Sequence, residues 1–235
     1  MEIIVLKTTN YKEKDAIVEG LDENGSHSFL VKGLQSPKCA NIVLANKLID
    51  VDIELQEGKY KHPIIKKSKT IASPYHMDDD LYTLASINLI DEITINLLQE
   101  DERTPLYTSL KEAIKVFQNK KADPLSISLI YFMKVLKESG YSFEANHCVR
   151  CDKKKGIATF SFSEGGFICK DCLTDDIELK LSKEAMISIR KAIIATEYKT
   201  IEELSFPVYK ELIKELKAFV LDYLGVKLTS VDLFL

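Results

Sequence analysis

Two Cys-x-x-Cys pairs constrain this chain more than any other feature of its sequence. Cys148 and Cys151 form the first pair, Cys169 and Cys172 form the second, and seventeen residues separate them. A two-residue gap lets both sulfurs of a pair point at one centre, so the two pairs can supply four thiolates to one tetrahedral zinc ion. Two redox dithiols or four unrelated buried cysteines are the alternatives, but the βαβ pattern around a thioredoxin-like dithiol is missing here. We therefore expect one structural Zn²⁺ ion.

The segment between the pairs has the pattern of a zinc ribbon. Residues 159–163 alternate polar and aromatic side chains as a strand does, Gly165-Gly166 supplies a turn, and Phe167-Ile168 leads back to the second pair. His147 precedes the first pair, but four thiolates already complete a tetrahedral shell, so we expect it in solvent or beside the ligands.

Composition indicates an ordinary globular protein in a reducing compartment. The chain has 235 residues, of which 46% are hydrophobic, enough for one large core or two to three smaller ones. We expect neither secretion nor a membrane span, because the start of the chain lacks a basic leader and no apolar run is long enough. Cys39 is the one cysteine outside the pairs, and we expect it to be buried and inert.

The first seventy residues predict a small barrel. Strands are predicted over residues 2–7, 15–21, 27–32, 48–56 and 64–71, with a hairpin signal at Asp22-Glu23-Asn24-Gly25. Five strands without a long helix favour an OB-fold, and an SH3-like barrel is the alternative.

Helical periodicity begins after Pro74. Helices are predicted over residues 81–99 and 104–118, and a third begins at Pro124 and stops at Gly140. Two more begin at Ser182 and Pro207. The fold class is therefore α+β: an N-terminal five-stranded OB-fold barrel and an α-helical C-terminal domain with an inserted four-cysteine zinc ribbon. The expected domains are 1–73 (barrel), 74–147 and 182–235 (the two parts of the helical domain) and 148–181 (ribbon).

Charge places any polyanion site in the barrel or near the ribbon. The net charge is −4, but residues 1–72 hold eleven lysines against ten acids, whereas residues 73–147 hold seven basic and twelve acidic residues. Tyr60 lies within a basic run and Phe29 lies on the third strand, and aromatics beside cations suit single-stranded DNA. A solvated strand face with one buried aromatic is the alternative. The candidate DNA-binding residues are Lys32, Lys38, Lys59, Lys61, Lys66, Lys67 and Lys69.

No catalytic motif is present. The sequence lacks a glycine-rich phosphate loop, a His-Glu-x-x-His motif and a nucleophile elbow. We therefore expect no enzymatic activity, with an unrecognised zinc hydrolase as the alternative.

Four segments carry a resemblance to a known family. They are Tyr11-Lys12-Glu13-Lys14-Asp15, Val31-Lys32-Gly33, Gly140-Tyr141 ahead of His147-Cys148, and Glu164-Gly165-Gly166-Phe167-Ile168-Cys169. In this order, across essentially the whole chain, they resemble the bacterial recombination mediator family RecO. The chain departs from the family after Gly33, where a strongly basic stretch is usual and only Lys32 and Lys38 carry charge here.

The resemblance implies a non-catalytic protein of DNA repair and homologous recombination in the bacterial cytoplasm, associated with the nucleoid. It implies binding of single- and double-stranded DNA, annealing of complementary strands and, with RecR, help in loading RecA onto DNA coated by SSB. It also implies that Cys148, Cys151, Cys169 and Cys172 are zinc ligands. The acidic, apolar C-terminal tail of SSB needs an apolar groove with a basic rim, for which Lys111, Lys115, Lys134 and Lys137 are available. A zinc-ribbon adaptor that binds proteins and little DNA is the alternative function.

Overall fold

The structure, a computed structural model, describes residues 1–58, 61–174 and 181–235. Contacts divide the chain into two compact units, Met1–Asp79 with Leu98–Lys120 and Asp80–Leu97 with Lys121–Leu235. The fold class is α+β, as expected. The domain boundaries given above remain a prediction. Of the helices described, none has the length and apolar character needed to cross a membrane.

The barrel strands and the five α-helices match the expected order, whereas β6, the strand that ends at Cys148, was not predicted. The described strands are β1 Glu2–Tyr11, β2 Asp15–Asp22, β3 Gly25–Val31, β4 Asp50–Leu55, β5 Ile65–Ala72, β6 Glu144–Cys148, β7 Ile157–Ser161 and β8 Gly166–Cys169. The described α-helices are α1 Leu81–Asn96, α2 Leu106–Gln118, α3 Pro124–Glu138, α4 Lys183–Ile194 and α5 Phe206–Phe219.

The N-terminal sheet closes as an OB-fold does. Its strands run antiparallel in the order β3-β2-β1-β4-β5. A parallel bridge joins Leu30 to Ile64, and the Leu30 N–H donates to the carbonyl of Pro63 at 2.8 Å. The two outer strands therefore meet, and the sheet forms a five-stranded Greek-key barrel, the OB-fold and not the SH3-like alternative.

Alternating apolar residues fill the barrel. Ile3 and Val5 of β1 meet Val18 of β2 and Val51 of β4 in one buried cluster. Phe29 belongs to the same cluster and is only 2% exposed. Phe29 therefore packs in the core and is not available to stack on DNA bases, in agreement with the alternative of one buried aromatic.

Helix α2 belongs to the same compact unit as the barrel. Arg103, just before the helix, donates from Nη1 to Oε1 of Glu19 on β2 at 2.6 Å. Within the helix, Lys111 forms an ion pair with Glu2 at the start of β1. The two ion pairs attach this helix to the barrel strands.

The second unit is built around α3. All but a few side chains of this helix are buried, and it contacts α1, α4 and α5. Two buried hydroxyl pairs satisfy its polar groups, Thr94 with Tyr131 at 2.8 Å and Ser128 with Tyr209 at 2.9 Å. Buried polar groups cost free energy unless they are paired, so these contacts specify how the helices pack.

The inserted ribbon lies between α3 and α4 in the chain. Its sheet has the order β6-β8-β7, with β6 parallel and β7 antiparallel to β8. Gly166 has a φ of +158°, and a Cβ there would lie 2.6 Å from the carbonyl oxygen of Glu144. Only glycine permits this close approach of β8 to β6.

Candidate metal centre and nucleic-acid surface

The ribbon sheet brings the two cysteine pairs together. Cys148 ends β6 and Cys169 ends the neighbouring strand β8. Each pair then continues into a tight turn, closed in the first pair by a hydrogen bond from the Asp152 N–H to the Cys148 carbonyl at 2.9 Å. Cys148 and Cys169 are buried, Cys172 is half-buried and Cys151 is exposed. The site thus lies at one end of the ribbon and opens to solvent on one side.

The geometry of the four sulfurs fits a tetrahedral metal ion. All four Sγ atoms lie within 4.8 Å of one another, and those of Cys151 and Cys169 are 3.6 Å apart. Bonds of about 2.3 Å to a tetrahedral zinc ion place sulfurs about 3.8 Å apart. None of these cysteines is in a disulfide. The four thiols could therefore hold one metal ion.

The backbone favours a thiolate at this centre. Burial raises the pKa of Cys148, but N–H donors from Cys169, Arg150 and Cys151 outweigh it and bring the pKa to about 6. The Cys169 N–H donates to Cys148 Sγ at 3.4 Å. Contact with Cys151 and then burial raise the pKa of Cys172 to about 12. At neutral pH Cys148 is therefore largely a thiolate, whereas Cys172 keeps a proton that a divalent ion would displace.

Cationic side chains near the pairs cross-link the site. Arg150 binds Glu164 with two nitrogens, each at 3.2 Å, and donates from Nη1 to the carbonyl of Cys172 at 2.8 Å. Lys153 pairs with Asp171 at 2.5 Å. Each cation joins the turn of the first pair to that of the second. Both positive charges are therefore paired with carboxylates inside the ribbon.

His147 lies outside the sulfur cluster. Its Nε2 is 3.3 Å from Glu144 and its Nδ1 is 3.4 Å from Asp152. Only the four cysteines form the metal-capable group found in the described part of the chain. The histidine is positioned by carboxylates beside the site.

The candidate DNA-binding lysines of the barrel fall in two places. Lys66, Lys67 and Lys69 are exposed on β5, where the register sets Lys67 opposite Glu54 and Lys69 opposite Asp52. Lys66 also pairs with Glu54 at 2.7 Å. This strand therefore faces an acidic row on β4. Lys61 is exposed in the preceding loop, and Lys59 and Tyr60 lie outside the described residues.

Lys32 and Lys38 belong to a second group that the sequence alone did not define. Their loop is held against the β1–β2 turn, because Gln35 donates from its side chain to the carbonyls of Lys12 at 3.2 Å and Asp15 at 2.7 Å. We call the four lysines carried by these two adjoining segments the turn cluster. Its members are Lys12, Lys14, Lys32 and Lys38, all exposed.

An exposed aromatic ring adjoins the turn cluster. Tyr11 is 39% exposed, and Lys12 Nζ lies 5.2 Å from the centre of its ring. Cations beside an accessible aromatic face are the arrangement that binds single-stranded nucleic acid. The segment Tyr11-Lys12-Glu13-Lys14-Asp15, at the start of the second predicted strand, was the available signal for Tyr11, Lys12 and Lys14. Its contact with residues 33–38 depends on the fold.

Comparisons with a family model and with individual proteins point to the same family. The family model described as Recombination protein O C terminal matches residues 78–232 of this chain. The DNA repair protein RecO of Caldanaerobacter subterraneus is 24% identical over 235 residues, covering 98% of this chain and 95% of the relative. The DNA repair protein RecO of Bacillus subtilis is 28% identical over 177 residues, which cover 74% of this chain and 69% of the relative.

Proposed function

The chain belongs to the RecO family of DNA repair proteins, and from this membership we propose that it mediates homologous recombination without catalysing a reaction. In this proposal it binds single- and double-stranded DNA, anneals complementary strands and, with RecR, helps to load RecA onto SSB-coated DNA. It acts in the bacterial cytoplasm, associated with the nucleoid. The family match together with an OB-fold barrel carries the proposal.

In this proposal the metal is a single structural Zn²⁺ ion, and Cys148, Cys151, Cys169 and Cys172 are its ligands. Four sulfurs at the observed separations fill a tetrahedral shell and leave no open position for a substrate or water. The ion would supply folding free energy to the ribbon. A zinc hydrolase is disfavoured by the same donor set.

The turn cluster is the proposed first contact with DNA. Its lysines would neutralise phosphates of one strand, and Tyr11 would offer a face for a base. When two strands share one cationic surface, their mutual repulsion falls and pairing becomes easier. Lys61 would extend this surface, whereas the β5 lysines would contribute less because acids face them. Lys59 stays a candidate DNA contact from the sequence alone.

Salt dependence tests the DNA contacts directly. Binding of a labelled single-stranded oligonucleotide should weaken steeply with salt, and each lost phosphate contact should lower the log-log slope by about 0.7. Lys38→Ala should give such a loss, whereas Lys66→Ala is the matched control because Lys66 is held by Glu54 at 2.7 Å. Absence of binding at about 50 mM salt, where such contacts are strong, would contradict the proposal.

Two observations favour the adaptor alternative. The acidic row on β4 offsets the lysines of β5, and the net charge of the chain is −4. If the chain binds partner proteins but neither DNA form at low salt, the adaptor function replaces the mediator function. Strong annealing activity would exclude the adaptor as the main function.

A further inference from the structure

The four cysteines of the metal centre differ in their access to solvent. Cys148 and Cys169 are buried, Cys172 is half-buried, and of the four only Cys151 is exposed. Oxidation of a cysteine requires thiolate character and contact with the oxidant, and a cysteine that binds a metal ion does so as a thiolate. A reagent in solution therefore reaches the sulfur of Cys151 more readily than the other three.

A second sulfur lies beside the exposed one. The Sγ atoms of Cys151 and Cys169 are 3.6 Å apart and in contact. An oxidised cysteine forms a disulfide when another thiol is close enough to attack its sulfur. Because Cys169 is already in contact, it can capture an oxidised Cys151 without a rearrangement of the ribbon.

The two turns that carry the sulfurs are joined by contacts that do not involve the metal ion. Lys153 of the first turn pairs with Asp171 of the second at 2.5 Å. Arg150 of the first turn donates to the carbonyl of Cys172 at 2.8 Å. Neither contact uses a sulfur atom, so both remain when a sulfur changes its oxidation state. The first pair of cysteines is thus kept beside the second during the reaction.

We propose that Cys151 is a modification site for hydroperoxides, and that its oxidation closes a disulfide with Cys169 and releases the metal ion. The inference rests on the structural Zn²⁺ ion of the proposed function and does not depend on the DNA contacts. It assigns the exposed cysteine a second property, that of the sulfur through which an oxidant opens the centre.

The reaction with hydrogen peroxide has two steps. In the first, the Cys151 thiolate attacks one peroxide oxygen: an S–O bond forms, the O–O bond breaks and hydroxide leaves. The sulfur is thereby oxidised to a sulfenic acid and the peroxide is reduced. In the second step, the Cys169 thiolate attacks Sγ of Cys151: an S–S bond forms, the S–O bond breaks and a second hydroxide leaves. A dithiol reductant reverses the oxidation by thiol–disulfide exchange and is itself oxidised to a disulfide.

The disulfide removes two of the four ligands. The ion would then be held by Cys148 and Cys172 alone, whereas a structural zinc site needs four ligands. Its binding free energy is also folding free energy of the ribbon, so release of the ion loosens the ribbon strands.

Aromatic contacts connect the ribbon to the last long helix. Phe160 and Phe162 of the ribbon contact Phe143, with ring centres 5.8 Å and 5.5 Å apart. The ring of Phe162 also lies 5.7 Å from that of Phe219 in α5. Loosening of the ribbon therefore changes the packing of α5, and oxidation at the metal centre is felt in the helices.

Zinc release from the full, zinc-loaded chain tests the proposal. The zinc content before treatment, measured by atomic absorption, tests the metal assignment separately. Hydrogen peroxide is then added, released zinc is followed with a coloured chelator, and cysteine pairing is mapped by mass spectrometry of proteolytic peptides. We expect one zinc ion released for each disulfide between Cys151 and Cys169, and rebinding of zinc after treatment with dithiothreitol.

Histidine variants identify the sulfur that reacts. Cys151→His keeps four zinc ligands but removes the exposed sulfur, so peroxide should release zinc about tenfold more slowly than from the wild type. Cys172→His is the matched control, because it keeps the same number of ligands and leaves Cys151 and Cys169 in place. Its zinc release should keep the wild-type rate. Cys39→Ser, which removes the one cysteine outside the pairs, should also keep that rate.

Equal rates of zinc release from Cys151→His and the wild type, or a first disulfide between any other two cysteines, overturn the proposal. If a histidine variant holds no zinc before treatment, the wild type decides: after brief exposure to peroxide, Cys151 and Cys169 should be the pair protected from alkylation by iodoacetamide, and free Cys151 overturns the proposal.

Failure of this proposal is distinguishable from failure of the proposed function. If the wild type binds no zinc, the metal assignment fails and the modification site fails with it. If the wild type binds zinc and peroxide releases none, only the modification site fails. Absence of oligonucleotide binding would contradict the mediator function and leave the modification site standing.

Discussion

Replacing Asp50 with asparagine should stabilise the protein at alkaline pH. Asp50 lies on β4, is 0% exposed, and has no hydrogen-bond donor for either carboxylate oxygen among the described residues. Burial, and then the charge of Glu2, raises its pKa to about 7, while Lys111 and Lys115 act in the opposite direction. A carboxylate cannot donate a hydrogen bond, so contact between Asp50 and Glu2 is favourable only when one acid holds a proton.

The size of the effect follows from the raised pKa. The ordinary value is 3.8, so between about pH 4 and pH 7 the folded state keeps a proton that the unfolded chain releases. The free energy of unfolding therefore falls as pH rises through this interval, by about 1.4 kcal/mol per unit and by up to about 4 kcal/mol in all. Asp50→Asn removes this loss: we expect it to match the wild type near pH 4 and to exceed it by up to about 4 kcal/mol at pH 8.

Urea unfolding followed by circular dichroism at a series of pH values measures this difference, and the chain has no tryptophan to serve as a fluorescent probe. Subtracting the wild-type from the variant curve cancels the pH dependence of zinc binding, which both share. Asp52→Asn on the same strand is the matched control, because its side chain is 62% exposed and should shift stability by less than about 1 kcal/mol. Parallel curves for Asp50→Asn and wild type from pH 4 to 8 would refute the reasoning.

Two further predictions concern the second unit. Cys148→Ser should abolish stoichiometric zinc binding, measured by atomic absorption, and should lower the melting temperature, because structural zinc binding is itself folding free energy. Cys39→Ser is the control and should change neither the zinc content nor the melting temperature. Unchanged zinc content in Cys148→Ser would contradict the ligand assignment. Glu92 accepts hydrogen bonds from Thr229 and Ser230, which outweigh burial and lower its pKa. The contribution of ionised Glu92 to the free energy of unfolding is therefore present at neutral pH and lost on acidification. Glu92→Gln should lower the free energy of unfolding at pH 7, measured by urea unfolding, by about 1.5–3 kcal/mol. A variant as stable as the wild type at pH 7 would contradict this prediction.

Local sequence signals predicted the elements well. Asp80, Asp123 and Ser182 cap their helices, each accepting from a backbone N–H three residues on. Gly225 lies in the left-handed region with a φ of +69° and ends the π-helical turn Val220–Leu224 that continues α5. These signals act over a few residues, so a sequence reveals them without knowledge of the fold.

Contacts between distant segments could not be predicted in the same way. The turn cluster depends on hydrogen bonds from Gln35 to Lys12 and Asp15, and the pairing of lysines with acids on β5 depends on strand register. Phe234 of the C-terminal segment is buried, and the centre of its ring lies 4.9 Å from that of Tyr209. Each of these contacts results from tertiary packing. The pattern of a single sequence does not tell which distant segments come close together.

The gathering of the four cysteines was predictable because two pairs of one ligand type at fixed spacing admit few arrangements. The lysines were harder to assign because any exposed strand can carry them. The strand register places acids opposite the β5 lysines, which distinguishes them from the lysines of the turn cluster. Only the fold reveals this register. The ribbon thus brings four possible metal ligands together, while the proposed DNA contacts depend on the barrel's turns.

Annealing of complementary strands coated with SSB tests the central proposal most directly. Fluorescently labelled strands are coated with SSB, and duplex formation is followed by energy transfer with and without this protein. We expect the zinc-loaded protein to accelerate duplex formation, with less acceleration as salt rises, because phosphate contacts are displaced by ions. Duplex formation no faster than with SSB alone, at low salt and with the ribbon loaded, would contradict a mediator function.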